Sequence, residues 1–358
     1  MKAIIHIGTE KTGSTTIQHF LRDSRSFLQS HGVAYPLTPG LVDHRQLAYY
    51  AKNVYKQEDA FIREYGLYSP ERMAEWKRGF EKQLDRELSQ LDASVHSVIF
   101  SSEHLHSRLW GESGIQNLKQ LLLPWFTEIE ILVYLRRQDQ VAVSGYSTKL
   151  KMGETPSDIL NLNVDPKNHY YNYHVLLNKW SAVFGRDNVQ VRLFDPNSFH
   201  KNDLICDFLA AAGISENQQQ FKPHNLNTAL SWQAQKLLLK YNYRYPRFDR
   251  AGYNELNDKV REKLLERLET RYDGREELPA RTEAISFYEL FKLDNRLVAR
   301  EWFNRDFLFD EDFSGYPAHK MRLRLTPVAI LYFEAAVQWE RYRMLRSFPD
   351  NRIESRAE

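Results

Sequence analysis

Residues 3–21 read AIIHIGTEKTGSTTIQHFL, and the order of their parts decides the architecture. Ala3 to Ile7 is a short apolar run, as expected of a buried strand. Gly8 to Thr16 follow as a loop of glycine, charge and hydroxyl side chains. Ile17, Phe20, Leu21 and Leu28 then recur near helical spacing, and Gly32 offers a helix stop. A glycine turn between strand and helix lets main-chain N–H groups converge on an anion, and the helix adds the positive end of its dipole. Thr12, Ser14, Thr15 and Thr16 supply hydroxyl donors and Lys11 a cation, so the segment is suited to phosphate-like oxygens.

The loop departs from the nucleotide-triphosphatase pattern G-x-x-x-x-G-K-[ST] at a telling place. Gly8 and Gly13 have the required separation, but Ser14 stands where the lysine belongs, and the lysine lies inside the loop at Lys11. A kinase needs that lysine on the β- and γ-phosphates. An anion of lower charge, with no metal requirement, suits this loop better.

Working outward, further strands are expected over residues 33–36, 95–100, 129–135 and 189–194. Helices are expected within 45–92, over 115–126 with a break at Pro124, and over 140–149, 169–184 and 204–212. Beyond Gly213 no strand is evident, and residues 229–243, 254–272, 284–304 and 326–345 read as helical. Strands alternating with helices predict an α/β fold, a P-loop-type doubly wound parallel sheet flanked by helices, with ligands at the carboxyl ends of the strands. The expected division is a core over 1–215 and a helical C-terminal region over 216–358.

The segment GTEKTGSTTIQHFL, residues 8–21, resembles the 5′-phosphosulfate loop of sulfotransferases, whose core reads P-K-[ST]-G-[ST]-T. The resemblance implies that Lys11, Thr12, Gly13, Ser14, Thr15 and Thr16 contact the 5′-phosphosulfate of 3′-phosphoadenosine 5′-phosphosulfate (PAPS), with Lys11 stabilising charge on the leaving oxygen. Glu10 replaces the usual proline. The family also carries R-x-x-x-x-x-x-x-S for the 3′-phosphate, and ILVYLRRQDQVAVSGYSTKL, residues 131–150, offers Arg136 and Ser144 at that spacing. An arginine fork and a short hydroxyl suit a terminal phosphate. Arg137 is a weaker candidate, for the acceptor or for an ion pair. Residues 172–194 and 294–309 are similar to bacterial sulfotransferase-like proteins.

Transfer to a hydroxyl needs a base. The expected strand over 95–100 ends in Ser101-Ser102-Glu103-His104-Leu105-His106. The resemblance implies a Glu or His there: Glu103 first, His104 second, His106 third. The stretch Asp43-His44-Arg45 and, after the next strand's helix, Lys149, Lys151 and Gly153 are candidates for the acceptor side, and the resemblance implies Asn225 and Asn227, beside His224, for the nucleotide. Tyr170, Tyr171 and Tyr173 are expected to open a helix and pack. No metal site is expected, because the histidines show neither a cysteine partner pattern nor H-E-x-x-H.

Bulk composition narrows the classes. The net charge of +2 over 358 residues argues against a nucleic-acid binder. The single cysteine, Cys206, forms no internal disulfide. No apolar run reaches the roughly 18 residues of a membrane span, and the N-terminal run lacks a signal-peptide pattern. The expectation is a cytoplasmic enzyme taking a hydroxyl acceptor, leaning to a saccharide, and releasing 3′,5′-ADP. The rivals are a P-loop kinase and a nucleotide-binding module without catalysis.

Overall fold

The computed structural model describes residues 1–52, 59–215, 229–250 and 252–347. In chain order the elements are β1 (Lys2–His6), α1 (Ser14–Asp23), α2 (Arg25–Ser30), β2 (Val33–Ala34), α3 (Arg45–Ala51), α4 (Ala60–Glu64) and α5 (Pro70–Ser89). They continue as β3 (Ser97–Ser101), α6 (His104–Arg108), α7 (Glu112–Leu122), β4 (Glu128–Leu135), α8 (Gln138–Lys151), α9 (Tyr173–Phe184), β5 (Val189–Leu193) and α10 (Leu204–Ala211). Then come α11 (Trp232–Arg244), β6 (Phe248–Asp249), β7 (Gly252–Tyr253), α12 (Glu255–Arg271), α13 (Arg281–Glu289), α14 (Lys292–Phe303) and α15 (Pro327–Ser347).

All five strands expected from the sequence pair in parallel, in the order β2-β3-β1-β4-β5. The chain leaves β1 toward β2 and β3, then returns to place β4 on the other side of β1. The carboxyl end of β1 is therefore the switch point where such sheets bind ligands. Alternation along each strand feeds two cores. Ala3, Ile5, Val98, Phe100, Ile131 and Val133 point to one face, with Leu177 and Trp180 of α9. Ile4, Ile99, Leu132 and Tyr134 point to the other, with Ile17 and Leu21 of α1 and Phe208 of α10. Burial on both faces explains why these strands read as continuous apolar runs.

Two compact units share the chain. The sheet unit comprises Met1–Val141, Asn163–Asn227 and Tyr288–Glu311; the second comprises Ala142–Leu162, Thr228–Phe287 and Asp312–Glu358. The boundaries of this partition are not those of the expected 1–215 and 216–358. Residues 142–162 group with the later helices, and 288–311 group with the sheet, because Val298 and Ala299 of α14 and Leu308 enter the core shared with β1, β3 and β4. Within the second unit, Tyr146 and Leu150 pack with Leu237 and Tyr241 of α11, Val260 and Leu264 of α12, and Phe333 and Val337 of α15.

Several boundaries differ from expectation. The helix expected from 169 begins at Tyr173, because the Asn172 side chain accepts from Val175 N–H and caps it. The helix expected over 284–304 is two, α13 and α14. The short antiparallel pair β6–β7, with Asp249 opposite Gly252, lies where no strand was expected. Two residues per strand carry too little periodicity to be read from sequence. Among the described residues no helix is long and apolar enough to cross a membrane.

A buried carboxylate joins α10 to the sheet. Asp207, 1% exposed, accepts from Tyr134 Oη at 2.7 Å, Arg192 Nε at 2.6 Å and His200 N–H at 2.9 Å. Burial alone would raise its pKa, but the Arg192 hydrogen bond and the two others outweigh it and hold it below the usual carboxylate range. A depressed folded value means full stabilisation above the unfolded pKa of about 3.9, lost as pH falls through the folded value. Asp207→Ala is expected to cost about 3–5 kcal/mol in urea unfolding at pH 7. The difference from wild type should shrink as pH falls below about 4, the unfolded carboxylate value.

Candidate functional site

The loop after β1 remains stapled to β4. Ile7 N–H donates to Leu132 O at 3.0 Å, Tyr134 N–H to Gly8 O at 2.7 Å, and Thr9 N–H to Tyr134 O at 3.0 Å. The Thr9 hydroxyl donates to Tyr134 O at 3.1 Å and the Thr12 hydroxyl to Thr9 O at 2.6 Å. Both threonines are fully buried. The Thr12 hydroxyl, expected to meet the ligand, thus shapes the loop. Lys11 sits at φ 67° and Gly13 at φ 74°. Gly13 precedes α1, which has no side-chain cap and no acidic residue in its first turn. Ser14 is buried, and Thr15 and Thr16 are half-buried in that turn. An uncapped helix N-terminus without acidic residues is electrostatically favourable to an anion.

Arg136 follows β4 and reaches back to the loop. Its Nη1 donates to Lys11 O at 3.0 Å, its Nε to Gln140 Oε1 at 3.1 Å, and its guanidinium lies 5.3 Å from the Phe194 ring centroid. Tyr173 Oη donates to Arg136 O at 2.5 Å. Arg137 is buried in a two-point pair with Asp139, at 2.9 and 3.1 Å, and also donates to Asp310 O at 2.8 Å. It is the ion pair, of the two roles read from the sequence.

Glu103 lies against the opening of the loop. A side chain at Gly8, whose φ is 94°, would meet Glu103 Cβ at 3.1 Å and Cα at 3.2 Å. This close approach, not the turn alone, requires glycine there. Gln18 Nε2 of α1 donates to Glu103 Oε2 at 2.7 Å. Beside them His104 Nε2 stands 3.4 Å from Asp43 Oδ2, with 25% and 23% of the two side chains open. His104 Nδ1 and Asp43 Oδ1 are enclosed without a hydrogen-bond partner. Burial, then the Glu103 charge, pushes the Asp43 carboxyl up to about 8, against the Ser102 hydrogen bond and Arg45. Burial also pushes His104 below its ordinary value, despite Glu103.

The other histidines are committed. His106 is fully buried, and burial brings it down to about 4. Its Nδ1 accepts from Glu10 N–H at 3.4 Å, so its proton is on Nε2 and is donated to Tyr170 O at 3.2 Å. His44, also fully buried and brought down to about 3 chiefly by burial, accepts at Nδ1 from Ser101 N–H at 3.3 Å and donates from Nε2 to Pro36 O at 2.9 Å. It stacks on Tyr35 at 4.1 Å. Glu10 receives Tyr170 Oη at 2.7 Å. Burial would raise the Glu10 pKa, but hydrogen bonds from Ser107 and Tyr170, with His106 and Arg108 nearby, bring it below the usual range. Tyr170 thus secures the loop from outside any helix.

The sheet unit therefore brings together Lys11 to Thr16, Arg136, Glu103 and His104. Ser144, half-buried, and Lys149, exposed, lie on α8 in the second unit. His224, Asn225 and Asn227 lie outside the described residues. Sequence reading missed Gln18 as a site residue, while Asp43 lies in the stretch it expected to face the cleft. Gln18 sits four residues after Ser14, on the same helical face, a periodicity that points it under the loop. Asp43 adjoins His44, whose ring anchors this stretch to β3. A separate open cavity of about 570 Å³ is lined by none of these residues; there Lys77 covers one face of Tyr50, 5.2 Å from the ring centroid.

No protein-family model matches the sequence, and no curated protein matches it. The chain is similar to the crystal structure of a sulfotransferase from Alicyclobacillus acidocaldarius, at 16% identity and a TM-score of 0.40, over 75% of this chain and 96% of that one. At that distance the likeness identifies neither chemistry nor ligand.

A Cβ at Gly13 would lie 2.4 Å from Leu204 Cδ2 and 3.1 Å from Phe194 Cε2. With the positive φ added, Gly13→Ala is expected to cost about 2 kcal/mol or more, read as a lowered midpoint in thermal or urea unfolding.

Proposed function

We propose that this chain is a sulfotransferase that moves a sulfuryl group from PAPS to an acceptor hydroxyl, with a saccharide as the favoured acceptor class. The observation that carries the reading is the packing of Glu103 against Gly8. It puts a carboxylate beside the entrance of an anion loop that lacks the triphosphatase lysine. The loop signature of residues 8–21 and the arginine held at Lys11 O support the same reading.

In this mechanism the acceptor oxygen attacks sulfur and its proton passes to Glu103. The S–O bond to the acceptor forms as the S–O bond to the 5′-phosphate breaks. The electron pair stays on the departing phosphate of 3′,5′-ADP. Lys11 and the first-turn N–H groups of α1 stabilise that charge as preorganised donors. Arg136 binds the 3′-phosphate, which separates PAPS from 5′-AMP. His104, beside Asp43, is the second choice as base. His106, with both nitrogens on main-chain groups, holds the loop to Tyr170.

Calorimetric titration with 3′,5′-ADP, 5′-AMP and ATP–Mg²⁺ tests the donor site. Wild type is expected to prefer 3′,5′-ADP, and Arg136→Ala to weaken it about ten- to a hundredfold. The thermal midpoint of the variant should be checked in parallel, since Arg136 also bonds the loop. Tighter binding of ATP–Mg²⁺, or an unchanged affinity in the variant, would reject the reading in favour of a kinase-like site.

A further inference from the structure

Glu103 has an unusual set of neighbours for the residue that precedes a helix. It stands at the N-cap position of α6, yet its side chain caps nothing there. Its Oε2 instead receives Gln18 Nε2 at 2.7 Å, across 85 residues of sequence. Gln18 is only 2% exposed. A buried amide must be hydrogen-bonded to be tolerated, and a carboxylate as its acceptor makes the bond stronger than a neutral pair. The helix that supplies the amide is the one that follows the loop after β1.

The two oxygens of Glu103 therefore differ. Oε2 is held by Gln18, and Oε1 is the one left to a substrate. The groups that also face this carboxyl are Tyr35, from beyond β2, Asp43, from the segment before α3, and His104 beside it. Asp43 and His104 are both driven toward their uncharged forms, chiefly by burial. An amide, unlike a lysine or arginine in its place, orients the carboxylate without a formal charge that would weaken it as a base.

We propose that Gln18 is a positioning residue for Glu103, fixing Oε2 so that Oε1 meets the acceptor hydroxyl. The inference rests on the donor reading above, with Glu103 as its base. In the transfer step the acceptor proton moves to Oε1 while Oε2 keeps its hydrogen bond to the amide. Gln18 exchanges no proton. Its contribution is geometric, since a displaced base loses rate steeply.

The test is Gln18→Met, which keeps side-chain length and removes the donor, made in wild type and in Glu103→Gln. PAPS turnover to 3′,5′-ADP is followed with water and with soluble saccharides as acceptors. Gln18→Met is expected to lower kcat about ten- to a hundredfold while leaving the KM for PAPS and the affinity for 3′,5′-ADP unchanged. In the Glu103→Gln background the same change should lower it no further. A second readout does not depend on turnover. With ¹⁵N-labelled glutamine, the Gln18 side-chain amide resonance should shift on Glu103→Ala in the 3′,5′-ADP complex. An unmoved resonance, equal losses in the two backgrounds, or a donor affinity that falls with kcat would overturn the positioning role. If wild type does not bind 3′,5′-ADP, the donor reading fails, and this inference with it.

Discussion

The approach of Glu103 to Gly8 is the constraint on which the site depends. Parallel pairing of β1 with β3 runs from Lys2 against Ser97 to His6 against Ser101, so both strands end at one level. The residues just beyond them must then share a corner. Gly8 yields the space by having no side chain, and Glu103 fills it with its own main chain. Loop and carboxylate are positioned by one packing event, and neither can be relocated without disturbing the sheet.

Burial decides what the histidines do. His6, His44 and His106 have no exposed surface, and each is driven well below its ordinary pKa, chiefly by desolvation. A neutral imidazole donates at one nitrogen and accepts at the other. His44 and His106 use both on main-chain groups, and so join segments that no regular ladder could connect. His104 alone of the three histidines near the base keeps a quarter of its side chain open. The difference arises from position after the strand, not from residue type.

The sheet was legible because its strands are buried on both faces and its loop carries a specific pattern. The central strands show runs of apolar residues, such as Ile131 to Leu135, that no exposed helix would need. What the sequence could not convey was which polar side chains turn inward. Thr12 reads as a ligand donor but spends its hydroxyl on Thr9 O. His44 reads as cleft-facing but is sealed beneath Tyr35, while its neighbour Asp43 lines the corner. Gln18 lay inside the recognised motif, yet its partner is far along the chain. Pairings of that separation leave no local signal, since they depend on sheet order.

One feature of the sheet unit bears on how the chain acquires its structure during synthesis. Gln138 and Asn295 exchange two amide hydrogen bonds, at 2.7 and 3.1 Å, and Arg137 donates to Asp310 O. Val298 and Leu308 complete the core behind β1 and β4. The strands have all left the ribosome well before these residues do, so the nascent sheet carries an unfilled apolar face while more than a hundred intervening residues are made. The first half of the molecule is finished by part of its last third. That order of emergence leaves part of an apolar face open until late in synthesis, the kind of transient surface through which incomplete chains associate and which a sheet closed by its own sequence neighbours would not present.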